Sequence, residues 1–225
     1  MLNIRTFGSL NLLSAGGEEI TAVLSQPKRF AILVYLAAAH PRGFHRRDSL
    51  LTVFWPEAEE TRGRNALSQG LTFLRRHLPA GAIISRGGDE IGVDPEVLST
   101  DMVEFELAVK GKRWAEALDL YSGDFLRGFH VPDSPEFETW VQGTRHRMRD
   151  AASDCAWALA RDQVRRGALI EGERTARKAM DLTCPDEATI RRFMEVLIAA
   201  GDRVAALRLS ERFSETLREA FDLEP

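Results

Sequence analysis

Apolar and polar positions separate onto two faces of one segment in the first half of the chain, residues 46–78. The apolar residues recur every three or four positions at Leu67, Leu71, Leu74 and Leu78. The positions between them are polar and recur at the same spacing at Asn65, Gln69, Thr72 and Arg76. This period predicts an amphipathic helix that packs through its leucines and exposes its polar face.

The segments before this helix predict strands and two further helices. Apolar residues alternate with polar ones around glycines over the first 24 residues, with the third apolar run at Ile20, Ala22 and Leu24, which predicts a small antiparallel meander. A helix is predicted to begin near Pro27 and to end before Pro41. A second helix is predicted from about Arg46 to Phe54, where Trp55-Pro56 ends it.

The segment after this helix predicts a hairpin. Two β-rich runs within residues 83–93 flank Gly87-Gly88, and glycine tolerates the positive φ angles of a tight turn. Strands, three helices and a hairpin follow in the order of a winged helix, in which the last helix enters the DNA major groove. No GxxxxGK[ST] spacing accompanies the glycine pair, which excludes a phosphate loop of that type.

From Thr100 onward the pattern is helical throughout. A helix start is predicted at Asp133–Glu136, with a long helix running to about Arg166. Glycine-marked turns at Gly167 and Gly201 lie 34 residues apart, and each precedes a helix rich in small residues. A helix-turn-helix period of 34 residues is typical of tetratricopeptide repeats, although helical periodicity alone also permits another α-bundle. The turn at Gly111–Trp114 predicts a third, less regular unit.

The predicted fold class is mainly α with a small β component. We predict an N-terminal winged helix-turn-helix domain over residues 1–98 and an all-α, tetratricopeptide-like domain over residues 99–225.

The chemistry of the polar face favours DNA recognition. Asn, Gln and Arg present planar groups that match base edges in the major groove, and Thr can bond a base or touch a thymine methyl. Arginine clusters around the same helix, and lysine is absent between Lys28 and Lys110, which suits bidentate contact with phosphate or guanine. The alternative is an ordinary solvated surface helix.

Charge and residue spacing bear on whether the chain binds nucleic acid, holds a metal or acts as an enzyme. The net charge is −4, but residues 1–100 hold 11 Lys and Arg against 10 Asp and Glu, whereas residues 101–225 hold 19 against 24. Cys155, Cys184 and the five histidines show no metal-ligand spacing, and no catalytic motif is present. We therefore expect neither an enzyme nor a bound cofactor or metal.

The sequence gives no sign of a membrane span or a secretory signal. The longest apolar run, Phe30–Ala39, is far shorter than the roughly 18 residues that a spanning helix needs. We therefore expect a cytoplasmic protein that does not contact membranes.

The chain resembles bacterial transcriptional activators of the Streptomyces antibiotic regulatory protein type, which join a response-regulator-like winged helix to a tetratricopeptide-like bacterial transcriptional activator domain. The resemblance covers essentially the whole chain. It is carried by HRRDSLLTVFWP (45–56), RNALSQGLTFLRRHL (64–78), TDMVEFE (100–106), GDFLRGFHVPDSPEFETW (123–140) and ALRLSERFSETLREAFDLEP (206–225). Members usually continue beyond the position of Pro225, so we expect a short member or a piece of a longer chain.

The resemblance implies sequence-specific binding of double-stranded DNA at promoter direct repeats. It further implies an activator that places two protomers side by side on DNA, as a possible homodimer, and recruits RNA polymerase. The residues it assigns to base contact are Asn65, Gln69, Thr72 and Phe73. Those assigned to the DNA backbone are Arg46, Arg47, Arg62, Arg64, Arg75, Arg76 and Arg86. Gly63 and Gly70 are weak helix formers within this predicted helix, and each costs about 1 kcal/mol of helix stability relative to alanine.

A second hypothesis from the residues is a tetratricopeptide-like module for protein–protein interaction or effector sensing. Arginines at both ends of the amphipathic helix favour DNA binding, because an adaptor has no need for them.

Overall fold

A computed structural model describes residues 1–221 of the chain. The chain forms two compact units, and each is made of two segments. The first unit contains Met1–Leu107 and Leu120–His146, and the second contains Ala108–Asp119 and Arg147–Pro225. The last residues of the predicted second domain and of the final resemblance motif, 222–225, lie outside the described residues.

The described residues form short strands and helices of very different lengths. The strands are β1 (Leu2–Arg5), β2 (Asn11–Leu13), β3 (Phe44–Arg46), β4 (Ile83–Arg86), β5 (Glu90–Val93) and β6 (Leu98–Thr100). The helices are α1 (Thr21–Leu24), α2 (Pro27–Ala38), α3 (Arg47–Phe54), α4 (Glu60–His77), α5 (Asp101–Lys110), α6 (Trp114–Leu120), α7 (Pro135–Arg165), α8 (Leu169–Leu182), α9 (Glu187–Ala199) and α10 (Arg203–Phe221). The predicted fold class, mainly α with a small β component, is confirmed.

The first sheet has the strand order β2-β1-β6. β1 pairs antiparallel with β2 and parallel with β6, so the predicted strand pair is confirmed but the third strand of the meander is wrong. The chain forms the short helix α1 at that point, and its buried residue is Val23 rather than one of the alternating set. The other edge of β1 pairs with β6, which lies almost 100 residues further along the chain.

The three helices of the winged helix form as predicted. α2 is buried along most of its length from Phe30 to Ala38, which explains its nearly continuous apolar sequence. α4 packs through Leu67, Leu71 and Leu74, which are all nearly inaccessible to solvent. The opposite, polar face of α4 is left exposed.

The wing is a three-stranded sheet of order β3-β5-β4. The predicted hairpin is confirmed: β4 and β5 pair antiparallel, and Gly87 has a φ of 61° in the turn. The pairing of β3 with β5 was not predicted. It requires glycine at position 92, because a Cβ there would lie 2.6 Å from the carbonyl oxygen of Gly43.

A buried carboxylate ties the end of β1 to the start of α5. Asp101 is 7% exposed and accepts hydrogen bonds from the backbone N–H groups of Thr6, Phe7 and Met102 and from the Thr6 hydroxyl. Burial raises the pKa of Asp101, and these donors act in the opposite direction because they favour the charged form. The site is structural, since all its donors belong to the surrounding backbone and Thr6.

Segment 120–146 belongs to the first unit in space although it follows residue 98 in sequence. Aromatic side chains make these contacts. The ring centroid of Phe7 lies 5.0 Å from that of Tyr121, and the ring centroid of Tyr35 lies 4.9 Å from that of Trp140. The boundary between residues 98 and 99 divides the chain by sequence and stays a prediction. The two compact units divide it differently.

Two glycine-containing turns that end helices in the second unit have the same hydrogen bonds. At Gly167, with φ 84°, the amide N–H bonds to Val164 O at 3.0 Å and the next amide bonds to Gln163 O at 2.9 Å. Gly201, with φ 86°, repeats both bonds and both distances 34 residues later, to Ile198 O and Leu197 O. These are Schellman motifs, and they support the predicted tetratricopeptide-like period.

Small residues let these helices approach one another as predicted. Ala176, Ala179, Ala205 and Ala206 are buried. Gly172 in α8 lies so close to α7 that a Cβ would be 2.5 Å from the side chain of Val164. Among the described helices, none is long and apolar enough to cross a membrane.

Candidate nucleic-acid interface

An open groove of about 780 Å³ runs along the exposed face of α4. It is lined by Arg29, Asn65, Ser68, Gln69, Thr72, Phe73, Arg76 and His77. The three polar residues predicted to contact bases are therefore brought together on one surface. Helical spacing does this, because positions 65, 69 and 72 are separated by four and three residues.

Asn65 and Gln69 present their amide groups to solvent. Both side chains are exposed, and neither forms a hydrogen bond to any residue in the described part of the chain. Each amide therefore keeps a donor and an acceptor for an external partner, and this pair of groups matches the N6 and N7 edge of adenine.

Thr72 is oriented by its own helix. Its hydroxyl donates to the carbonyl oxygen of Ser68 at 2.8 Å, so the proton is engaged within α4. The hydroxyl lone pairs and the methyl group remain for a partner.

Phe73 lies in a stack of three side chains at the edge of the groove. The guanidinium carbon of Arg29 lies 4.0 Å from the Phe73 ring centroid, and the His77 ring stacks on Phe73 at 4.1 Å with an interplanar angle of 29°. His77 Nδ1 also lies 2.9 Å from Phe73 O, which fits an Nδ1–H donor. The ring of Phe73 is half-buried by these contacts.

Arg29 was missed by the sequence analysis. It lies in α2, where the predominantly apolar run that follows drew attention to packing. Its cation–π contact with Phe73 is made across two helices, so periodicity along either helix alone gives no signal for it. Ser68 was missed as well, although its position between Asn65 and Gln69 places it on the same face.

Arg75 and Arg76 are adjacent in sequence but point to different surroundings. Arg75 donates to the Ser85 hydroxyl of β4 at 2.8 Å, which links the end of α4 to the wing. Arg76 lines the groove together with the residues predicted to contact bases. Both side chains are exposed.

Three further arginines lie on the wing or beside it. The Arg47 Nε donates to Gly88 O at 2.9 Å, which holds this side chain against the hairpin turn. Arg86 donates to Glu90 at 2.5 Å and lies over the ring of Phe44. The bond to Glu90 raises the pKa of Arg86 and lowers that of Glu90. Arg46 is exposed on the neighbouring strand, opposite Glu90 in register.

The first turns of α4 contribute the remaining two arginines. Arg62 is exposed and forms no ion pair within the described residues. Arg64 bridges Asp48 and Glu60, with nitrogen–oxygen distances of 2.9 Å to each. Because exposed pairs of this kind are worth only about 0–1 kcal/mol, Arg64 can exchange a carboxylate for a phosphate at little cost.

The described residues contain no group of three or more His, Cys, Asp or Glu side chains that could hold a metal ion. The groove chemistry is thus that of amides, a hydroxyl, an aromatic stack and guanidinium groups. These groups lie on an exposed helix beside a β hairpin, which is the arrangement of a winged-helix surface. Such a surface suits a partner that carries many negative charges and planar hydrogen-bonding groups.

The comparisons with known proteins identify the family. Residues 104–225, more than half of the chain, match the bacterial transcriptional activator domain. The chain therefore belongs to the bacterial transcriptional activator domain family, and the resemblance to regulators of the Streptomyces antibiotic regulatory protein type is confirmed. No curated protein sequence matches the chain.

A similar fold occurs in the structure of Mycobacterium tuberculosis EmbR in complex with a low-affinity phosphopeptide. The two chains are 17% identical and superpose with a TM-score of 0.55. The match covers 100% of this chain and 62% of the EmbR chain, so this chain spans less than two thirds of the length of that protein. The likeness shows a shared fold.

Proposed function

We propose that this transcriptional regulator binds DNA sequence-specifically by inserting α4 into the major groove. The observation that carries the proposal is the exposed row of uncommitted amide groups on α4, bordered by arginines from the same helix and from the wing. A helix of this kind, beside a β hairpin, is the element that winged-helix proteins place in the major groove.

Asn65 and Gln69 are the residues proposed to specify bases, through bidentate bonds to adenine. Thr72 offers its methyl group to thymine because its hydroxyl proton is bonded within the helix. Phe73 contacts the sugar or a thymine methyl through the face or edge left exposed by its stack, and it holds Arg29 beside the bases.

The arginines are proposed to bind phosphates on both sides of this contact. The set is Arg46, Arg47, Arg62, Arg64, Arg75, Arg76 and Arg86, as the sequence predicts. Arg86 lies on the wing, and Arg47 and Arg75 are bonded to it, so the wing would follow the adjoining DNA backbone. These contacts fix register and supply a salt-dependent part of the affinity.

On promoters we propose that two protomers bind direct repeats side by side and recruit RNA polymerase as an activator. The membership in the bacterial transcriptional activator domain family supports this assignment. Double-stranded DNA, RNA polymerase and a second protomer on DNA are the proposed partners.

A second candidate function is protein–protein interaction or effector sensing by the tetratricopeptide-like second unit. It is favoured by large apolar side chains that remain exposed on its helices: Ile170 is 81% exposed and Leu207 is 64% exposed. This function is compatible with DNA binding by the first unit and becomes the principal one if DNA binding fails.

Selection of bound genomic fragments with the purified chain, followed by footprinting, tests the main proposal. We expect an enriched sequence containing repeated half-sites. Recovery of no enriched sequence would leave the interaction module as the function.

Three substitutions locate the contact on α4. Asn65→Ala or Gln69→Ala should cost about 1–3 kcal/mol at the selected site and relax the preference at one base pair. Arg75→Gln should weaken binding to all sequences alike and lower the salt slope by about one. Gln142→Ala, an exposed glutamine on α7, serves as the matched control and should bind as the wild type does. Wild-type binding by all the α4 variants would show that another element contacts DNA.

A further inference from the structure

The second unit contains a basic groove that the proposed DNA contact does not use. It has a volume of about 590 Å³ and lies between the start of α6 and the C-terminal half of α7. Its charged lining residues are Lys112, Arg113, Glu116, Arg161, Asp162, Arg165 and Arg166. Five cations thus face two carboxylates.

Both carboxylates are already paired. Arg113 bonds to Glu116 at 2.6 Å, and Arg166 bonds to Asp162 at 2.9 Å. The other three cations, Lys112, Arg161 and Arg165, have no carboxylate within 4.0 Å among the described residues. Guanidinium groups stay charged at all ordinary pH values, so the groove carries a persistent excess of positive charge.

The crowding of these cations is visible at Arg161, which is half-buried. Burial is the largest cause that lowers the pKa of Arg161, and the neighbouring Arg165 and Arg192 lower it further, while Asp154 acts in the opposite direction. The neighbouring guanidinium groups therefore repel one another, and an anion bound between them would relieve this repulsion.

Lys112 occupies a backbone position that favours glycine. The turn between α5 and α6 has the same Schellman bonds as those at Gly167 and Gly201: Lys112 N bonds to Val109 O at 3.0 Å, and the next amide bonds to Ala108 O at 2.9 Å. Here the left-handed residue is a lysine, with φ 56°, although a glycine is its immediate neighbour in sequence. A residue with a side chain has an unfavourable conformational energy at a left-handed position, and functional sites tolerate such a cost.

The rest of the groove suits a planar ring. Trp114 and the aliphatic side chains of Ala158 and Leu159 line it beside the cations. An indole ring stacks on nucleobases regardless of their identity, and arginine pairs bind phosphate. The volume is within the range of about 300–1,000 Å³ that is usual for small-ligand sites.

We propose that this groove binds a nucleotide, with its base on Trp114 and its phosphates against Lys112, Arg161 and Arg165. A short acidic peptide would satisfy the cations but would leave the indole without a planar partner. This site is independent of the proposed DNA contact, and its tests use no DNA.

Isothermal titration of the full chain with ADP, inorganic pyrophosphate and adenosine tests the assignment at physiological ionic strength. We expect ADP to bind best, pyrophosphate to bind more weakly and adenosine to bind weakest. Trp114→Leu should reduce ADP affinity while leaving pyrophosphate affinity unchanged. Arg165→Gln should reduce the affinity for both about tenfold, because a charge-assisted bond is lost. Arg174→Gln, an exposed arginine on α8 outside the groove, is the matched control.

Lys112→Gly separates a binding role from a structural one. The substitution removes the ammonium group and also relieves the left-handed backbone, so the variant should melt at a higher temperature yet bind ADP more weakly. The proposal is overturned if ADP fails to bind at millimolar concentration, or if the groove variants bind it like the wild type. It is equally overturned if an oligoglutamate peptide binds through these residues and ADP does not.

Discussion

Single side chains decide how the face of α4 meets a partner, and the stack of Arg29 on Phe73 is the clearest case. The ring holds the guanidinium group 4.0 Å from its centroid and therefore at the groove. Phe73→Leu keeps apolar bulk but removes the ring, and a cation–π contact at such a site is worth about 0.5–1 kcal/mol. We expect DNA affinity to fall by roughly two- to fivefold, measured by fluorescence anisotropy on the selected site.

Two further variants distinguish loss of the stack from loss of a direct Phe73 contact. Phe73→Tyr retains a ring and should bind as the wild type does. Arg29→Gln removes the stack but leaves the proposed Phe73 contact with DNA. The double variant should therefore bind more weakly than Arg29→Gln alone, but by less than the sum of the two single losses, because both substitutions break the stack. A double variant that binds like Arg29→Gln would contradict a direct Phe73 contact, and fully additive losses would contradict a role of the stack.

The two cysteines provide a second prediction at this scale. Cys155 is 1% exposed, and burial together with nearby Asp154 raises its pKa to about 11, whereas Cys184 is exposed. At pH 8 roughly one Cys155 in a thousand would be thiolate, and the thiolate is the reactive form. A disulfide-exchange reagent should therefore modify one thiol per native chain rapidly and two after denaturation in guanidinium.

Cys184→Ser identifies which thiol reacts. This variant should lose the rapid phase in the native state, while Cys155→Ala should keep it. Rapid modification of two thiols in the native wild-type protein would contradict the buried position of Cys155.

Sequence periodicity predicted which α4 side chains are exposed, but it did not predict their neighbours. Asn65 and Gln69 follow from a three-to-four residue spacing that any helix imposes. The place of Arg29 beside Phe73 depends on how α2 packs against α4, and the different surroundings of Arg75 and Arg76 depend on where β4 lies. Contacts between elements of this kind are set by tertiary packing and leave no local pattern.

At the scale of elements, two helix-ending turns of the second unit place glycine in the left-handed conformation. Gly167 and Gly201 both have φ above 80°, where an alanine Cβ meets the adjacent carbonyl oxygen. We expect Gly167→Ala or Gly201→Ala to lower the free energy of unfolding by about 1–2 kcal/mol, measured by urea denaturation.

Gly143→Ala is the matched control because Gly143 lies inside α7, and a Cβ there would meet nothing within 4 Å. Alanine has the higher helix propensity, so this variant should gain about 0.5–1 kcal/mol. A Gly167→Ala variant as stable as the wild type would contradict the expected cost of alanine in the left-handed conformation at this turn.

Elements with strong local signals were predicted well, and very short strands were not. The Pro27 start, the Trp55-Pro56 stop and the Gly87-Gly88 hairpin each rest on a backbone preference of one or two residues. β3 and β6 have three residues each and owe their pairing to strands far along the chain. α1, which has only four residues, was likewise mistaken for the third strand of a meander.

At the scale of the whole chain, the two compact units do not follow the order of the sequence. Segment 120–146 returns to the first unit through contacts such as the Ser122 hydroxyl bond to Phe7 O at 2.8 Å and the Phe54–Phe137 ring pair at 5.2 Å. The segment is rich in aromatic residues, but its composition does not tell which part of the chain these rings pack against. A truncation at residue 98 would expose part of this aromatic packing and is a poor choice for isolating the first unit.

The proposed pairing of protomers on DNA makes a geometric prediction for the whole protein. Direct repeats require a head-to-tail arrangement, in which each protomer uses a different surface toward its neighbour. Such neighbours touch when the repeats are on the same face of the duplex, that is, at multiples of about 10–10.5 bp. Inserting about five base pairs between the repeats should abolish cooperative binding in a gel-shift titration, and inserting about ten should partly restore it. Absence of cooperativity at every spacing would mean that the protomers bind DNA independently of one another.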